Sequence, residues 1–276
     1  MVWVEKQGIG QRDLLKQNRV ITAVRVYGLR PFVTLNFATV RQGAHGLEYV
    51  IDAPPGVTPS LSDSIFRDLW RNEAKGIAEE FKPEYFSLGN EVNDYFFHHQ
   101  DEVENYLSLL REAYAALKSV SPETHVLVVF SYDHLLEGNQ WQLLQGCNEL
   151  VDLIGLTTYP YRQFSSPADI PDDYYAQVEQ YVTKPLAFTE IGWSSSGADG
   201  EKTQADFLVR FLELTKGLDL AMVNWLFLQE TTLSGIPAYI SDPDVGTIAL
   251  KTADDVEKKI YRVWTELKKT QWVPSP

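Results

Sequence analysis

The feature that most limits the fold of this chain is a regular alternation of short apolar runs with amphipathic stretches, which starts near residue 84. Apolar runs of about four to eight residues are typical of buried strands, and the longer stretches have helical spacing. The predicted strands are Tyr85–Gly89, Val126–Ser131, Leu153–Thr158, Leu186–Thr189 and Met222–Leu228. The predicted helices are Glu102–Lys118, Asn139–Glu149, Asp172–Tyr181, Lys202–Lys216 and Ala253–Lys268. Strands that alternate with helices indicate an α/β fold with a parallel sheet.

Two further elements are predicted upstream of this region. Phe32–Phe37 is a strand, and Leu61–Phe81 is a helix that Ser62 or Asp63 could cap. The Gly- and Pro-rich segment His45–Pro59 between them is predicted to be a long loop. Long loops that follow a strand on the active face of a barrel are often functional.

The first thirty residues allow two interpretations. If Gln11–Tyr27 is a helix that ends at Gly28, then Val2–Glu5 is the preceding strand and the sheet has seven strands. If Val20–Tyr27 is instead a strand, there are eight, but only the four residues 28–31 then separate it from the next strand. Such a connection is too short for a parallel crossover. We therefore favour the helix and expect a (β/α)8 TIM barrel that lacks its first strand.

Composition limits the domain organisation and the partners. At 276 residues and 44% hydrophobic content, the chain suits one barrel domain over residues 1–276. Its net charge of -14 repels phosphate backbones and anionic membrane surfaces, so neither is an expected partner. Cys147 is the only cysteine, which excludes an internal disulfide and a multi-cysteine metal site. The first residues lack the features of a signal peptide, and secreted or cytoplasmic location and oligomeric state stay open.

Two glutamates stand where predicted strands end. Glu91 follows the segment Ser87–Asn90, and Glu190 follows the strand Leu186–Thr189. In a barrel of parallel strands, residues at these carboxyl ends line the mouth of the active site. A buried carboxylate costs several kcal/mol unless it is paired or hydrogen-bonded. Two such residues therefore predict a pair of carboxylates that face one substrate bond.

These positions resemble clan A of the retaining (β/α)8-barrel glycoside hydrolases, which has an Asn-Glu pair after its fourth strand and a second Glu after its seventh. With Val2–Glu5 counted as strand two, Glu91 follows strand four and Glu190 follows strand seven. The resemblance implies that Glu91 is the general acid/base, that Asn90 binds the sugar 2-hydroxyl, and that Glu190 is the nucleophile. Retention by double displacement places such carboxyl groups about 5–5.5 Å apart. The implied substrate is a β-linked oligo- or polysaccharide, and no cofactor is implied.

Two aromatic residues extend the resemblance, and a third is a candidate because it lies in a predicted loop after a strand. Tyr159, after the sixth strand, corresponds to the clan tyrosine that holds the nucleophile in place. Trp225, in the eighth strand, corresponds to the aromatic floor on which the sugar stacks, and Trp193 is a candidate subsite wall. For each residue, packing in the core is the alternative interpretation.

Other interpretations remain open from sequence. The two glutamates could be structural carboxylates paired with Arg or Lys, or the chain could be a glycan-binding barrel with impaired catalysis. Many clan members supply an arginine near the nucleophile from strand two. None stands near Val4–Glu5, and Arg25 takes that place only if Val20–Tyr27 is a strand. The adjacent His98 and His99 point to different faces, so no metal site is expected.

Several polar residues are expected at the surface. His45 and His134 lie in predicted loops on the active side, where either could hydrogen-bond a sugar, but a surface role is the simpler expectation. The pair Lys258-Lys259 is expected on a solvated helix face.

Overall fold

The computed structural model describes residues 11–44, 46–231 and 244–267. The chain has two compact units, Met1–Gly155 and Leu156–Pro276. The predicted strand Val2–Glu5 lies outside the described residues. Within these residues, no helix has the length and apolar character needed to cross a membrane.

The first unit combines a parallel sheet, an antiparallel hairpin and several helices. Its strands are β1 (Phe32–Thr34), β2 (Ala38–Gly43), β3 (Gly46–Ile51), β4 (Tyr85–Ser87) and β5 (His125–Ser131). Its helices are α1 (Gln11–Gln17), α2 (Val20–Val26), α3 (Ser64–Phe81), α4 (Val92–His98), α5 (Val103–Lys118), α6 (Tyr132–Gly138) and α7 (Trp141–Asn148). Strand β4 pairs in parallel with β1 on one side and with β5 on the other. Strands β2 and β3 form the hairpin.

The helices α3 and α5 pack against each other. Asp63 caps α3, because its carboxylate accepts a hydrogen bond of 2.8 Å from the backbone N–H of Phe66. Trp70 of α3 and Tyr106 of α5 are fully buried. Burial of aromatic side chains of this size supplies a large part of the hydrophobic stabilisation of the unit.

The N-terminal helix prediction is confirmed, and the alternative strand over Val20–Tyr27 is wrong. Gln11–Tyr27 forms two helices, α1 and α2, which are separated at Arg19, where φ is +50°. The guanidinium of Arg25 donates to the backbone oxygens of Phe81 and Lys82 at 3.1 and 2.8 Å. These residues precede β4, so Arg25 lies at the end of that strand opposite to Glu91.

The predicted loop His45–Pro59 is wrong in its first half, because Gly46–Ile51 is strand β3. The hairpin register runs from Ala38 opposite Ile51 to Gly43 opposite Gly46, and Gly46 has a φ of +131°. Glycines at the turn suggested a loop, but Tyr49, Val50 and Ile51 are residues that favour strands. The segment after β1 therefore forms a regular β-hairpin.

The strand β6 (Leu153–Thr158) begins in the first unit and ends in the second. The second unit continues with β7 (Leu186–Ile191), α8 (Gly200–Leu214), β8 (Leu220–Trp225) and α9 (Lys259–Leu267). Strands β7 and β8 pair in parallel from Leu186 opposite Leu220 to Ile191 opposite Trp225, with two irregularities in register. Helices α8 and α9 pack together.

Two predicted helices of this unit need correction. Asp172–Tyr181 contains only a short 3-10 helix, Ala176–Gln180. The backbone N–H groups of Val178 and Tyr181 donate to the oxygens of Tyr175 and Val178 at 3.2 and 2.9 Å, which is the three-residue spacing of a 3-10 helix. The helix predicted from Ala253 begins at Lys259, because the chain first makes a turn at Asp255, where φ is +64°.

Candidate active site

Glu91 lies directly after β4 in an unusual backbone conformation. Its φ and ψ are +48° and +45°, and the helix α4 begins at the next residue. A non-glycine residue in this left-handed region costs about 1–3 kcal/mol, and such residues are concentrated at functional sites. The turn also depends on Gly89, whose φ is +139° and whose missing side chain would meet Val92 and Tyr106. The sequence after β4 therefore folds into a tight turn that leaves the Glu91 side chain half-buried.

Asn90 is held in this turn by Asn36, which lies two residues after β1. The side-chain oxygen of Asn36 accepts hydrogen bonds from the backbone N–H groups of Phe37 at 3.1 Å and of Asn90 at 3.3 Å. The backbone oxygen of Asn36 in turn accepts from the indole of Trp70 at 3.4 Å. This bridge joins the ends of β1 and β4, and sequence analysis did not anticipate a role for Asn36.

The helix after Glu91 is anchored to β5 through the buried Asn93. The Asn93 amide donates to the backbone oxygen of Ser131 at 3.0 Å, and its oxygen accepts from the Ser131 N–H at 2.8 Å. Gln140 adds a hydrogen bond of 2.8 Å to the backbone oxygen of Asn93. Since Glu91 lies two residues before Asn93, these bonds also limit the movement of Glu91.

Glu190 lies near the end of β7 in the second unit and accepts a hydrogen bond from Tyr159. The Tyr159 hydroxyl donates to Oε2 of Glu190 at 2.5 Å. Tyr159 follows β6 and is only 7% exposed, so little water competes with this bond. Burial raises the pKa of the Glu190 carboxyl above its usual value, and the hydrogen bond from Tyr159 opposes that rise. The predicted contact between these two residues is therefore present.

A cation lies beside the same tyrosine. The guanidinium carbon of Arg162 is 5.1 Å from the ring centroid of Tyr159 and 5.8 Å from that of Tyr161. Such an arrangement is a cation–π interaction, in which the ring face attracts the positive charge. Arg162 stands three residues after Tyr159, but the sequence did not predict that it lies at this ring.

Trp225 and Trp193 are both buried in the second unit, each at 4% exposure. The Trp225 indole donates to the backbone oxygen of Ile248 at 2.6 Å, and its ring neighbours Phe207 at 6.1 Å. Trp193 also contacts Phe207, at a centroid distance of 5.2 Å. These contacts agree with the packing alternative, and the sugar-stacking roles of both tryptophans stay predictions.

A cavity of about 240 Å³ opens next to the Glu91 turn within the first unit, and its walls include Tyr49, Asp94, His98 and His134. His134 Nδ1 lies 2.8 Å from Oδ1 of Asp94. That hydrogen bond is the main cause that raises the pKa of His134 to about 9. The imidazole is therefore protonated at neutral pH and forms an ion pair with Asp94.

The described residues contain no group of three or more His, Cys, Asp or Glu side chains that could hold a metal ion. Glu91 belongs to the first unit and Glu190 to the second. In general, a carboxylate can act as a general acid/base or as a nucleophile at a glycosidic bond.

Solved structures of glycosidases share this fold. An exo-β-1,4-mannosidase from Opitutaceae bacterium strain TAV5 is 16% identical with a TM-score of 0.73, over 96% of this chain and 50% of that chain. A family 39 glycoside hydrolase from Bacteroides cellulosilyticus WH2 is 17% identical with a TM-score of 0.62, over 90% and 52%. The GH5_18 protein from Streptomyces cattleya, in complex with Manβ1-4GlcNAc, is 14% identical with a TM-score of 0.67, over 96% and 69%. The chain has the fold of the (β/α)8-barrel glycosidases and spans about half the length of the first two relatives.

The family model described as glycosyl hydrolase family 53 matches residues 74–222, more than half of the 276 residues. The chain therefore belongs to glycosyl hydrolase family 53, which is part of clan A. The resemblance to clan A that the sequence indicated is confirmed. No curated protein sequence matches the chain.

Proposed function

We propose that this protein is a retaining glycoside hydrolase that cleaves a β-linked glycan, with Glu91 as general acid/base and Glu190 as nucleophile. The observation that carries the proposal is the 2.5 Å hydrogen bond from Tyr159 to Glu190. A nucleophilic carboxylate must be ionised and must keep one orientation. The hydrogen bond contributes to both, because it favours the charged form against the effect of burial and holds one oxygen.

In the first step, the carboxylate of Glu190 forms a bond to the anomeric carbon while Glu91 gives its proton to the leaving oxygen. The bond between the anomeric carbon and that oxygen breaks, and a glycosyl ester on Glu190 remains. In the second step, Glu91 removes a proton from water, which attacks the anomeric carbon and releases Glu190. Two inversions give a product with the configuration of the substrate.

The rigid turn around Glu91 supports its role as a proton shuttle. The side chain of Asn36 accepts a hydrogen bond from the backbone N–H of Asn90, and the side chain of Asn93, two residues after Glu91, is bound to the backbone of Ser131. A proton donor that is fixed in this way loses little entropy when the substrate binds. Asn90, which precedes Glu91, is the proposed partner of the sugar 2-hydroxyl.

The substrate is proposed to be a neutral glycan, because the net charge of -14 repels anionic polysaccharides. Among the structural relatives, one is an exo-β-1,4-mannosidase and another is in complex with Manβ1-4GlcNAc. β-1,4-Mannobiose and mannan are therefore the first substrates to assay, followed by galactan, glucan and xylan.

The test combines two alanine variants with azide. Glu190→Ala should lose turnover, and azide should restore cleavage of an activated aryl glycoside to give the glycosyl azide of inverted configuration. Glu91→Ala should still form the glycosyl ester from an activated substrate, and azide should then give the azide of retained configuration.

The matched control is Glu84→Ala, a glutamate before the start of β4 that pairs with Arg25 at 3.2 Å. This variant should keep wild-type activity. Wild-type rates in Glu190→Ala would refute the assignment of the nucleophile. Binding of a glycan without hydrolysis by the folded wild type would favour the alternative, a glycan-binding barrel.

A further inference from the structure

Arg162 is brought to Tyr159 by the short helix that follows β6. The residues Pro160–Arg162 form a 3-10 helix, and the backbone N–H of Arg162 donates to the backbone oxygen of Tyr159 at 3.1 Å. A 3-10 helix has three residues per turn, so side chains at positions i and i+3 lie one above the other. Tyr159 and Arg162 have this spacing. The turn therefore places the guanidinium carbon 5.1 Å from the ring centroid of Tyr159.

The same guanidinium contacts a second aromatic ring. Its carbon lies 5.8 Å from the centroid of Tyr161, and the rings of Tyr159 and Tyr161 meet edge to face with centroids 6.4 Å apart. Tyr161 in turn contacts Trp193, at a centroid distance of 6.2 Å. A guanidinium is planar and delocalised, so it stacks on aromatic faces, whereas an ammonium group is a compact point charge. Arg162 thus joins two rings and limits the movement of Tyr159.

The ring of Tyr159 also lies close to the chain after β7. A Cβ atom at Gly192 would be 3.3 Å from Cε1 of Tyr159, so the absence of a side chain there gives the ring its space. The Tyr159 hydroxyl reaches Oε2 of Glu190 at 2.5 Å from this position. Contacts with Arg162 and with Gly192 therefore confine the ring to the place from which it donates.

The charge of Arg162 strengthens this donation. When a phenol donates a hydrogen bond to a carboxylate, negative charge builds up on its oxygen, and a cation within about 6 Å of the ring stabilises that charge. Glu190 of β7 and Tyr161 and Arg162 of the 3-10 helix are the titratable or charged groups described at this ring. Burial raises the pKa of Glu190 and the bond from Tyr159 lowers it, so a stronger donation favours the ionised carboxylate. Because Arg162 is exposed, water screens part of its charge and the effect is a few-fold in rate.

We propose that Arg162 is a positioning residue for the nucleophile, which keeps Tyr159 in place and strengthens the hydrogen bond that Tyr159 donates to Glu190. The inference rests on the proposed function, since it concerns the nucleophile of that reaction. Arg162 acts through Tyr159, so its effect requires the Tyr159 hydroxyl. Removing that hydroxyl therefore removes the effect of Arg162 as well.

The test is a double-mutant cycle of Arg162→Met, Tyr159→Phe and the combined variant. The substrate is a 2,4-dinitrophenyl β-glycoside of the sugar that the protein cleaves, because its leaving group needs no proton from Glu91. Arg162→Met should lower kcat/KM about two- to fivefold and move the acidic limb of the pH profile to higher pH. In the Tyr159→Phe background the same substitution should change neither. Arg162→Lys, which keeps the charge but not the planar group, should give an intermediate loss.

The matched control is Lys251→Met. Lys251 Nζ lies 5.2 Å from the ring centroid of Tyr261, a cation–π contact in the same unit that does not involve Tyr159. This variant should keep the rate and the pH profile of the wild type. Since Arg162 is exposed, Arg162→Met should also keep the wild-type Tm, so a loss of activity in it does not come from unfolding.

A second measurement needs no substrate. The carboxyl carbon of Glu190 is titrated by carbon-13 NMR, with Glu190→Gln to assign its signal, and its pKa should be higher in Arg162→Met than in the wild type. Equal losses of kcat/KM with Tyr159 and with Phe at that position, or an unchanged titration of Glu190, would overturn the role of Arg162 alone. Failure of the wild type to cleave any aryl glycoside would overturn the proposed function, and the titration would still decide whether Arg162 acts on Glu190.

Discussion

Replacing Tyr159 with Phe should slow the enzyme by weakening the nucleophile. The change removes one hydroxyl, and with it the 2.5 Å hydrogen bond to Glu190, while the ring still fills its buried position. A hydrogen bond to a charged group contributes about 1.5–3 kcal/mol. At 1.36 kcal/mol per factor of ten, kcat/KM should fall by about 10- to 150-fold.

The same substitution should change the pH profile in one direction. Burial raises the pKa of Glu190, and the bond from Tyr159 is the described contact that opposes this. Without the hydroxyl, the pKa of Glu190 rises further, so the acidic limb of kcat/KM against pH moves to higher pH. The assay is hydrolysis of an activated aryl glycoside between about pH 4 and 9, a range that covers the usual carboxyl and histidine pKa values.

The control is Tyr114→Phe, which removes a hydroxyl that donates to another carboxylate, Asp152, at 2.8 Å. That variant should cost about 1.5–3 kcal/mol of unfolding free energy and leave the pH profile unchanged. A Tyr159→Phe variant with the wild-type rate and the wild-type acidic limb would refute the reasoning.

Three further predictions concern the turn, the ion pair and the core. Gly89→Ala should reduce both Tm and activity, because the new methyl group meets Val92 at a φ of +139°; a variant with unchanged Tm would contradict this. The pKa of His134 is raised to about 9 by its hydrogen bond with Asp94, so unfolding free energy should fall as pH rises from 6.5 to 9. Since the imidazole is 48% exposed, the loss should be roughly 1 kcal/mol or less, and absent from His134→Gln in denaturant titrations. Trp225→Phe should lower Tm by removing the indole hydrogen bond, and a rise in KM without a change in Tm would instead favour the sugar-stacking role.

The sequence was sufficient to predict the elements that depend on local pattern. The buried run Leu153–Thr158 is a strand with the predicted bounds, and all six of its residues are buried. The contact between Tyr159 and Glu190 was predictable only from the resemblance to clan A, which implies a tyrosine after the sixth strand that contacts the Glu after the seventh. The local sequence pattern alone supplies neither the contact nor the roles.

The cavity next to Glu91 was not predictable, because its parts are distant in sequence and ordinary one by one. Tyr49 lay in a predicted loop, and His134 was expected at the surface. Only the pairing of β2 with β3 and the position of α4 bring them together around Asp94. Side-chain packing between distant segments is a tertiary property without a local pattern.

Lys258 shows the same limit on a smaller scale. The pair Lys258-Lys259 was expected on a solvated helix face, but Lys258 is buried and forms an ion pair with Glu230 at 2.6 Å. It also donates to Ser195 and Thr247 at 2.8 and 2.7 Å. The prediction failed because α9 begins one residue later, so the orientation of Lys258 is not set by helical spacing.

The most direct test of the central claim is to trap the glycosyl ester. The protein is treated with the 2,4-dinitrophenyl 2-deoxy-2-fluoro-β-glycoside of the sugar that it cleaves, digested, and mapped by mass spectrometry. We predict one added fluoroglycosyl group on the peptide that contains Glu190, and no label in Glu190→Gln. A label on Glu91 or on any other residue, or rapid turnover without a label that gives a product of inverted configuration, would contradict it.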